Sequence, residues 1–147
     1  ADGAIGYFET DEENLKTFDL IANSLKPAGK HLMGICSADH ARKHFPKRHW
    51  EAGSQSLSLA DFVWNEKASR MLYRGHVFKF GEIMPLIDDS FPPTNDQGIR
   101  LYSFDELKII LSTRNLEITA SYGAYDTEIP RSDRNLMQII CSRKRST

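Results

Sequence analysis

The sequence has little of what marks secreted, membrane-spanning or nucleic-acid-binding proteins. Its 147 residues include two cysteines, Cys36 and Cys141, which are too few for a disulfide framework. No apolar run reaches the length of a membrane span, and the chain does not open with a basic segment followed by an apolar one. A net charge of -1, with acidic and basic residues mixed along the chain, favours neither nucleic acid nor an anionic membrane as a partner. We therefore expect one domain spanning residues 1–147, in a reducing cytoplasm.

The first 36 residues have the pattern of a strand, a helix and a second strand. Residues 4–8 are a short apolar run, and the sequence TDEE at Thr10–Glu13 is a capping box that starts a helix. Apolar residues then recur at helical spacing to about Leu25, and a Pro-Ala-Gly turn leads into a second apolar run at 31–36. Because a helical crossover makes its two strands parallel, this segment predicts a βαβ unit in a sheet that is covered on both faces.

The middle of the chain predicts a short helix, a hairpin and a long loop. Ser37 can cap a helix that Pro46 stops. Residues 57–64 and 70–80 are two strand-like runs with a polar connection, which is typical of a β-hairpin. Residues 88–98 are rich in proline, asparagine and glycine, and we expect a loop or a lid there.

The last third predicts a helix followed by two strands. Ser103 and Glu106 form a second capping box, which opens a helix with an apolar face. Residues 117–122 and 136–142 are apolar runs separated by a turn-rich stretch, and we expect them to be strands.

Five segments along the chain resemble the C-terminal half of a class I S-adenosylmethionine-dependent methyltransferase of the small-molecule type. They are, in order, GYFETDEENL, SLKPAGKHLMGI, FPKRHWE, GIRLYSFDELKIIL and SYGAYDTEIPRSDRNLMQIICSRK. The resemblance covers nearly the whole chain. It implies an α/β fold made of strands four to seven of a Rossmann-like sheet, with the last strand reversed. It also implies an antiparallel hairpin inserted on the acceptor side, within residues 37–98.

The first half of such a domain has no counterpart in this sequence. The resemblance equates residues 4–8 with the fourth strand, and nothing here resembles the glycine-rich turn or the acidic residue that hold the cofactor in the family. We expect an N-terminal half of the domain, or a partner chain, to supply these groups. A sheet that ended at residues 4–8 would present an unpaired edge for such a partner. The alternative is a non-catalytic interaction subunit that pairs through this edge.

The resemblance places contacts to S-adenosylmethionine at the end of the first predicted strand, at Gly6, Tyr7 and Phe8. Methyl transfer from a sulfonium is an in-line displacement, so a protein mainly aligns the reactants and excludes water. Aromatic faces suit the sulfonium charge, and Gly6 allows a close approach of the backbone. The alternative is that Tyr7 and Phe8 only pack against the strand end.

The resemblance places the site for a small-molecule methyl acceptor after the fifth strand and in the turns beside the last strands. The candidate residues are Arg48, Trp50, Arg100, Tyr102, Tyr122, Tyr125 and Asp126. Arginine can clamp a carboxylate or phosphate, and tyrosine can position an amine or a hydroxyl. The alternatives are that Arg100 pairs with an acidic side chain, that Trp50 covers the hairpin and that Tyr122 is a core residue. The general base stays unassigned between Asp126, a nearby histidine and no base at all, because an amine acceptor needs only a route for its proton to water.

Three histidines raise the further hypothesis of a metal-dependent domain. His40 and His44 are four residues apart and can share a helix face, and His49 follows. No cysteine or acidic residue completes a recognised ligand spacing, and Lys43, Lys47 and Arg48 lie among the histidines. This composition favours a solvated basic helix, so we predict no metal site.

Two turns depart from the family's pattern. Ala28 stands where the family's LKPGG motif has its first glycine, and Arg114 with Asn115 stands where an AGF turn is usual. Asparagine tolerates a left-handed backbone, so Asn115 can still end the preceding helix. Alanine is less comfortable at positive φ, which puts the geometry of the turn at Ala28 in question.

Overall fold

The computed structural model describes residues 5–83 and 97–146. Over these residues the chain forms three helices and seven strands, and the strands make two sheets. In chain order the elements are α1 (Asp11–Ser24), β1 (Lys30–Cys36), α2 (Ala38–His44), β2 (Lys47–Ala52), β3 (Ser56–Asn65), β4 (Arg70–Lys79), β5 (Ile99–Arg100), α3 (Phe104–Ser112), β6 (Leu116–Tyr122) and β7 (Met137–Lys144). None of the helices in this part of the chain has the length and apolar composition needed to cross a membrane.

Side-chain caps set the starts of these helices at the predicted places. The hydroxyl of Thr10 accepts a hydrogen bond from the amide of the third residue of α1 (3.2 Å), and Ser37 caps α2 in the same way (3.3 Å). At α3 the capping box is complete, because Ser103 accepts from the Glu106 amide while the Glu106 carboxylate accepts from the Ser103 amide, both at 3.1 Å. The three predicted helix starts are confirmed.

The first sheet has the strand order β1-β7-β6, and its central strand is the last one in the sequence. β7 is antiparallel to both neighbours, so the prediction that the last strand is reversed is confirmed. It follows that β1 and β6 run in the same direction, and that their carboxyl ends lie at the same edge of the sheet. The chain leaves this edge after Cys36 to build the second sheet, and again after Tyr122 to form the turns before β7.

The second sheet has the order β2-β3-β4-β5, and every neighbouring pair is antiparallel. The predicted hairpin is confirmed as β3 and β4, which pair along all ten residues of each strand. β2 and β5 had not been predicted as strands. The segment proposed as an insertion, 37–98, spans α2 and β2 to β4. The loop predicted at 88–98 lies outside the described residues except for its last two positions.

Residues 5–8 do not form the predicted strand, and Ala4 lies outside the described residues. Residues 5–8 instead form a series of bends, in which Gly6 has a φ of +100°. The carbonyl of Gly6 accepts from the amide of Arg100 (2.8 Å), so this segment is held by the start of the second sheet. A Cβ at Gly6 would overlap the carbonyl oxygen of Arg100, which explains why glycine stands there. The prediction of a first strand at residues 4–8, parallel to the run at 31–36, is therefore wrong over residues 5–8.

The main core lies between the first sheet and helices α1 and α3. Its buried residues are Ile5, Phe18, Ala22, Met33, Ile35, Tyr102, Leu107, Leu111, Leu116 and Ile140. A second cluster joins α2 to the second sheet, through Ala38, Ala41, Met71 and Leu101. Partly buried side chains that pack on this second cluster include Cys36 at the end of β1 and Phe62 and Trp64 of β3, so the cluster joins the second sheet to the carboxyl edge of the first.

The two turns that depart from the family's pattern adopt left-handed backbones. Ala28 and Asn115 both have a φ of 64°. Ala28 is held in this conformation by its amide, which donates to the carbonyl of Lys144 in β7 (3.0 Å). The strained alanine therefore ties the turn before β1 to the central strand of the sheet.

Candidate active site

Two rows of side chains share one face of the second sheet. Residues that are directly opposite in a sheet share a face, and so do residues two apart along a strand. The charged row consists of Arg48, Asp61 and Arg74, and the apolar row consists of Trp50, Leu59 and His76. Because the hairpin register places each row across β2, β3 and β4, side chains from three strands meet at one place.

The two rows line a cavity of about 320 Å³, together with His49 and Ala60. This volume is at the lower end of the range for small-molecule sites. Arg48 and Trp50, two of the residues predicted to bind an acceptor, both belong to the lining. Their role in binding stays a prediction, but the structure brings them together in one cavity.

The charged row is an ion-pair network centred on Asp61. Its carboxylate accepts from Arg74 Nη2 (2.8 Å) at one oxygen and from Arg48 Nε (2.9 Å) at the other. The hydrogen bond from Arg74 is the main cause that lowers the pKa of Asp61, and the charge of Arg48 lowers it further. Asp61 is therefore a carboxylate at neutral pH, and it is unsuited to take a proton from an acceptor.

The apolar row combines an exposed indole with a buried imidazole nitrogen. The side chain of Trp50 is exposed at 66%, although tryptophan normally buries most of its surface. His76 Nε2 is buried, and it has no hydrogen-bond partner among the residues that the structure describes. A buried polar atom normally has a partner, so this nitrogen can serve a ligand that enters the cavity.

The residues predicted to contact the cofactor lie in the bends before α1. Tyr7 and Phe8 are exposed at 60% and 47%, so neither side chain lies in the core. The backbone around them is fixed, because Phe8 exchanges two hydrogen bonds with the side chain of Asn14, at 3.1 and 3.3 Å. Exposed aromatic rings on a fixed backbone fit the wall of a site for a sulfonium cofactor.

Arg100 and Tyr102 lie in the interior, and neither is among the described residues that line the cavity. Arg100 is buried and binds the carboxylates of Asp11 (3.2 Å) and Glu106 (2.8 Å), at the first turns of two helices. Tyr102 is exposed at only 2%, and its ring packs edge-on against Phe18. Burial raises the pKa of the Tyr102 hydroxyl. The ion pairs of Arg100 correspond to the alternative stated for it, and Tyr102 is a core residue.

Tyr122, Tyr125 and Asp126 lie at the carboxyl edge of the first sheet, outside the described lining of the cavity. Tyr122 ends β6 opposite Ile139, and Tyr125 is exposed. The carboxylate of Asp126 accepts from the amide of Glu128 (2.9 Å), which is a common way to stabilise a turn. The structure therefore does not bring these three residues together with Arg48 and Trp50.

The three histidines considered as metal ligands occupy two separate places. The rings of His40 and His44 stack at 4.5 Å on α2, and His40 Nδ1 bonds the backbone oxygen of Asp133 at 2.8 Å. His49 lies on β2 and contacts the carboxylate of Glu51 (3.2 Å). Within residues 5–83 and 97–146, no group of three histidine, cysteine or acidic side chains has the spacing of a metal site.

Asp61, Arg74 and His76 were missed as site residues, although the sequence contained a signal for them. A hairpin whose strands are 57–64 and 70–80, with its turn between them, places residue 61 close to residue 74. Arg74 and His76 then fall on the same face as Arg48 and Trp50 only if β2 is recognised as a third strand. The site was not predicted because β2 was not predicted, although the hairpin was.

Comparison with known proteins identifies the fold. No family model and no curated protein matches the sequence. Among solved structures, the chain is similar to the CcbJ methyltransferase of Streptomyces caelestis, with a TM-score of 0.67 and 12% identity over 90% of this chain. It is also similar to an S-adenosylmethionine-dependent methyltransferase of Clostridium acetobutylicum, with a TM-score of 0.65 and 11% identity over 97% of this chain.

The likeness is one of fold, and it covers part of the larger proteins. This chain spans 53% of the first protein and 55% of the second, about half of their length. It therefore has a mixed α/β fold that resembles about half of each of these methyltransferases, with the antiparallel sheets described above.

Proposed function

We propose that the chain is part of an S-adenosylmethionine-dependent methyltransferase that transfers a methyl group to a small-molecule acceptor. The observation that carries the proposal is the fold match to two methyltransferases over 90% and 97% of the chain. In this proposal the chain corresponds to the C-terminal half of the domain, and residues 5–8 stand in the place of its fourth strand although they form bends. An N-terminal half of the domain, or a partner chain, supplies the remaining groups that hold the cofactor.

Residues 6–8 form one wall of the cofactor site in this proposal. The cofactor supplies a methyl group activated by a positively charged sulfur. The exposed rings of Tyr7 and Phe8 offer their faces to that charge, while the bend at Gly6 and the contacts with Asn14 keep the backbone in place. The chain's contribution is thus to orient the cofactor and to exclude water on this side.

The cavity on the second sheet receives the acceptor. Trp50 offers a large exposed ring to a flat or apolar part of the acceptor, and Arg48 presents an exposed guanidinium on the same face. A guanidinium recognises a carboxylate or phosphate group, so the charged row favours an acceptor with an acidic group. Among the lining residues, His76 Nε2 is the atom suited to bond a hydroxyl or amine of the acceptor.

Binding of S-adenosylmethionine tests the proposal directly. Calorimetric titration should use the chain alone and, beside it, the protein purified with any residues encoded before Ala1 or with any chain that copurifies. We expect specific binding to the larger species and none to the chain alone. Binding to the chain alone would contradict the division of the cofactor site. A stable larger species that binds no cofactor would instead support the non-catalytic interaction subunit.

Substitutions in the cavity test the acceptor site once an acceptor is found by screening. Arg48→Met and Trp50→Ala are expected to raise the KM of the acceptor and to leave the affinity for S-adenosylmethionine unchanged. Lys43→Met is a matched control, because this exposed side chain pairs with Asp133 at 3.0 Å and lies outside the described lining of the cavity. An unchanged acceptor KM in both cavity variants would place the acceptor elsewhere.

A further inference from the structure

Arg70 connects the sheet that carries the cavity to the segment proposed to contact the cofactor. It is exposed at only 7% and is the first residue of β4. Its Nη2 donates to the carbonyl oxygens of Phe8 and Glu9, both at 2.8 Å, and its Nη1 donates to the carbonyl of Gly98 at 3.1 Å. One guanidinium therefore holds three backbone oxygens from two distant parts of the chain.

We propose that Arg70 is a positioning residue that sets the distance and orientation between the cofactor wall and the acceptor cavity. This inference rests on the proposed function, because it assigns residues 6–8 to the cofactor and the cavity to the acceptor. Arg70 contacts neither ligand in this account. It acts through the backbone of residues 8 and 9.

Arginine suits this role better than any other side chain. Its planar fork offers five N–H donors in a fixed geometry and keeps its charge when buried, whereas lysine offers a single nitrogen on a flexible stem. A backbone contact next to Arg70 strengthens the attachment of residues 6–9. The Arg100 amide donates to the carbonyl of Gly6 (2.8 Å), and Arg100 lies directly opposite Arg70 in the register of β4 and β5. The bends at residues 6–9 are thus attached to the second sheet at three carbonyl groups, those of residues 6, 8 and 9.

β4 carries this attachment to the cavity as a stiff spacer. Arg70, Arg74 and His76 are separated by even numbers of residues and therefore lie on the same face of β4. β4 is paired with β3 over its whole length. At about 3.3 Å per residue, the backbone of Arg74 lies roughly 13 Å along the strand from that of Arg70. A shift of residues 6–9 relative to β4 would therefore move the cofactor wall relative to the acceptor while both half-sites keep their own structure.

The consequence for catalysis is a loss of alignment and not of acceptor binding. In-line methyl transfer depends on the approach of the acceptor atom, and a misplacement of about 1 Å can cost on the order of 100-fold in rate. The ion pairs of Asp61 with Arg48 and Arg74 do not involve Arg70, so the cavity should keep its affinity.

Hydrogen exchange and kinetics on Arg70→Met and Arg70→Lys test the inference. Two amides report on the attachment, that of Phe8, bonded to Asn14 Oδ1 (3.1 Å), and that of Arg100, bonded to the Gly6 carbonyl (2.8 Å). In R70M we expect both to exchange about tenfold faster, because local opening becomes easier. In the larger, cofactor-binding species we expect kcat to fall roughly 10- to 100-fold while the KM of the acceptor stays within about twofold. R70K, which keeps the charge, should show smaller changes in the same direction.

Arg114→Met is the matched control. Arg114 also donates to a backbone carbonyl, that of Ile110 (3.0 Å), and to a carboxylate, that of Asp19 (2.7 Å), but it joins α3 to α1 away from both proposed half-sites. R114M should lower thermal stability without faster exchange at Phe8 and without a selective loss of kcat. Unchanged exchange in R70M, or a loss of kcat equal to that in R114M, would overturn the inference. Failure of the larger species to bind S-adenosylmethionine would overturn the proposed function, while the exchange result would still decide whether Arg70 holds residues 6–9.

Discussion

Gly6→Ala should destabilise the protein more than replacement of another glycine with a similar positive φ. Gly6 has a φ of +100°, a region that residues with a Cβ rarely adopt. An added Cβ would overlap the carbonyl oxygen of Arg100 and lie 3.1 Å from its carbonyl carbon. Relief of this overlap requires a shift of the backbone, which would break the hydrogen bond from the Arg100 amide to the Gly6 carbonyl.

Gly81→Ala separates the two contributions to this cost. Gly81 has a φ of +90°, but no described heavy atom lies within 4 Å of its added Cβ. Both variants incur about 1–2 kcal/mol for a side chain at positive φ. Gly6→Ala adds the cost of overpacking, typically about 1–3 kcal/mol, so its total should be about 2–5 kcal/mol. The smaller chain entropy of unfolded alanine affects both variants alike and does not enter the difference.

Urea denaturation and thermal melting of the two variants measure this difference. For a chain of this length, 1 kcal/mol corresponds to a change in Tm of roughly 3 °C, so Gly6→Ala should melt about 3–9 °C below Gly81→Ala. The m-value should not change, since the same surface is exposed on unfolding. Equal stability of the two variants would refute the close contact between residues 6 and 100, and with it the description of how the bends are anchored.

Three further substitutions test other features. Ala28→Gly should raise the free energy of unfolding by up to about 1 kcal/mol in urea denaturation, since glycine adopts a φ of 64° without side-chain strain. Tyr102→Phe removes a buried hydroxyl that has no partner among the described residues; its stability should stay within about 0.5 kcal/mol of the parent or exceed it, and a loss above about 1 kcal/mol would show that the hydroxyl is bonded. Asp61→Asn should lower stability at pH 7, because the Arg74 hydrogen bond lowers the pKa of Asp61 and thereby stabilises the fold above its unfolded pKa. That contribution is lost as the pH falls below the unfolded pKa of aspartate, about 3.9, and through the lower folded pKa, so the parent and variant curves should converge in acid, and parallel curves would contradict the ion pair.

The helices and the hairpin could be predicted because their signals are local. A capping box involves residues three apart, and the hydroxyls of Thr10, Ser37 and Ser103 all form the predicted contacts. β2 was missed because all six of its residues are exposed, so it shows no alternation of apolar and polar positions. β5 has two residues, which is too short for any pattern.

The bends at residues 5–8 show why an apolar run is an ambiguous signal. Ile5 is buried, as a strand residue would be, but Gly6 turns the chain through a positive φ and leaves Tyr7 and Phe8 exposed. The reason lies far along the sequence, because Arg70 and Arg100 bind the carbonyl groups of this segment. Long-range contacts of this kind cannot be inferred from a run of four or five residues.

Only part of the candidate site could be predicted from the sequence, for a related reason. Arg48 and Trp50 were recognised from a short motif, whereas the roles of Arg100 and Tyr102 depend on which way each side chain points. Both lie in a segment whose burial is decided by α1, α2 and α3 together, so tertiary packing placed them inside. The register of three strands, which the sequence does not display, brought Asp61 and His76 beside Trp50.

The position of β7 has a consequence for how the protein is made. A ribosome produces β1 early and residues 137–144 near the end of this sequence, yet β7 is the strand that both β1 and β6 pair with. During synthesis β1 and β6 therefore lack their common pairing strand until β7 leaves the exit tunnel. Nascent chains of this kind expose strand edges to chaperones and to each other. A premature stop just before residue 137 would remove the middle of the sheet and not its margin.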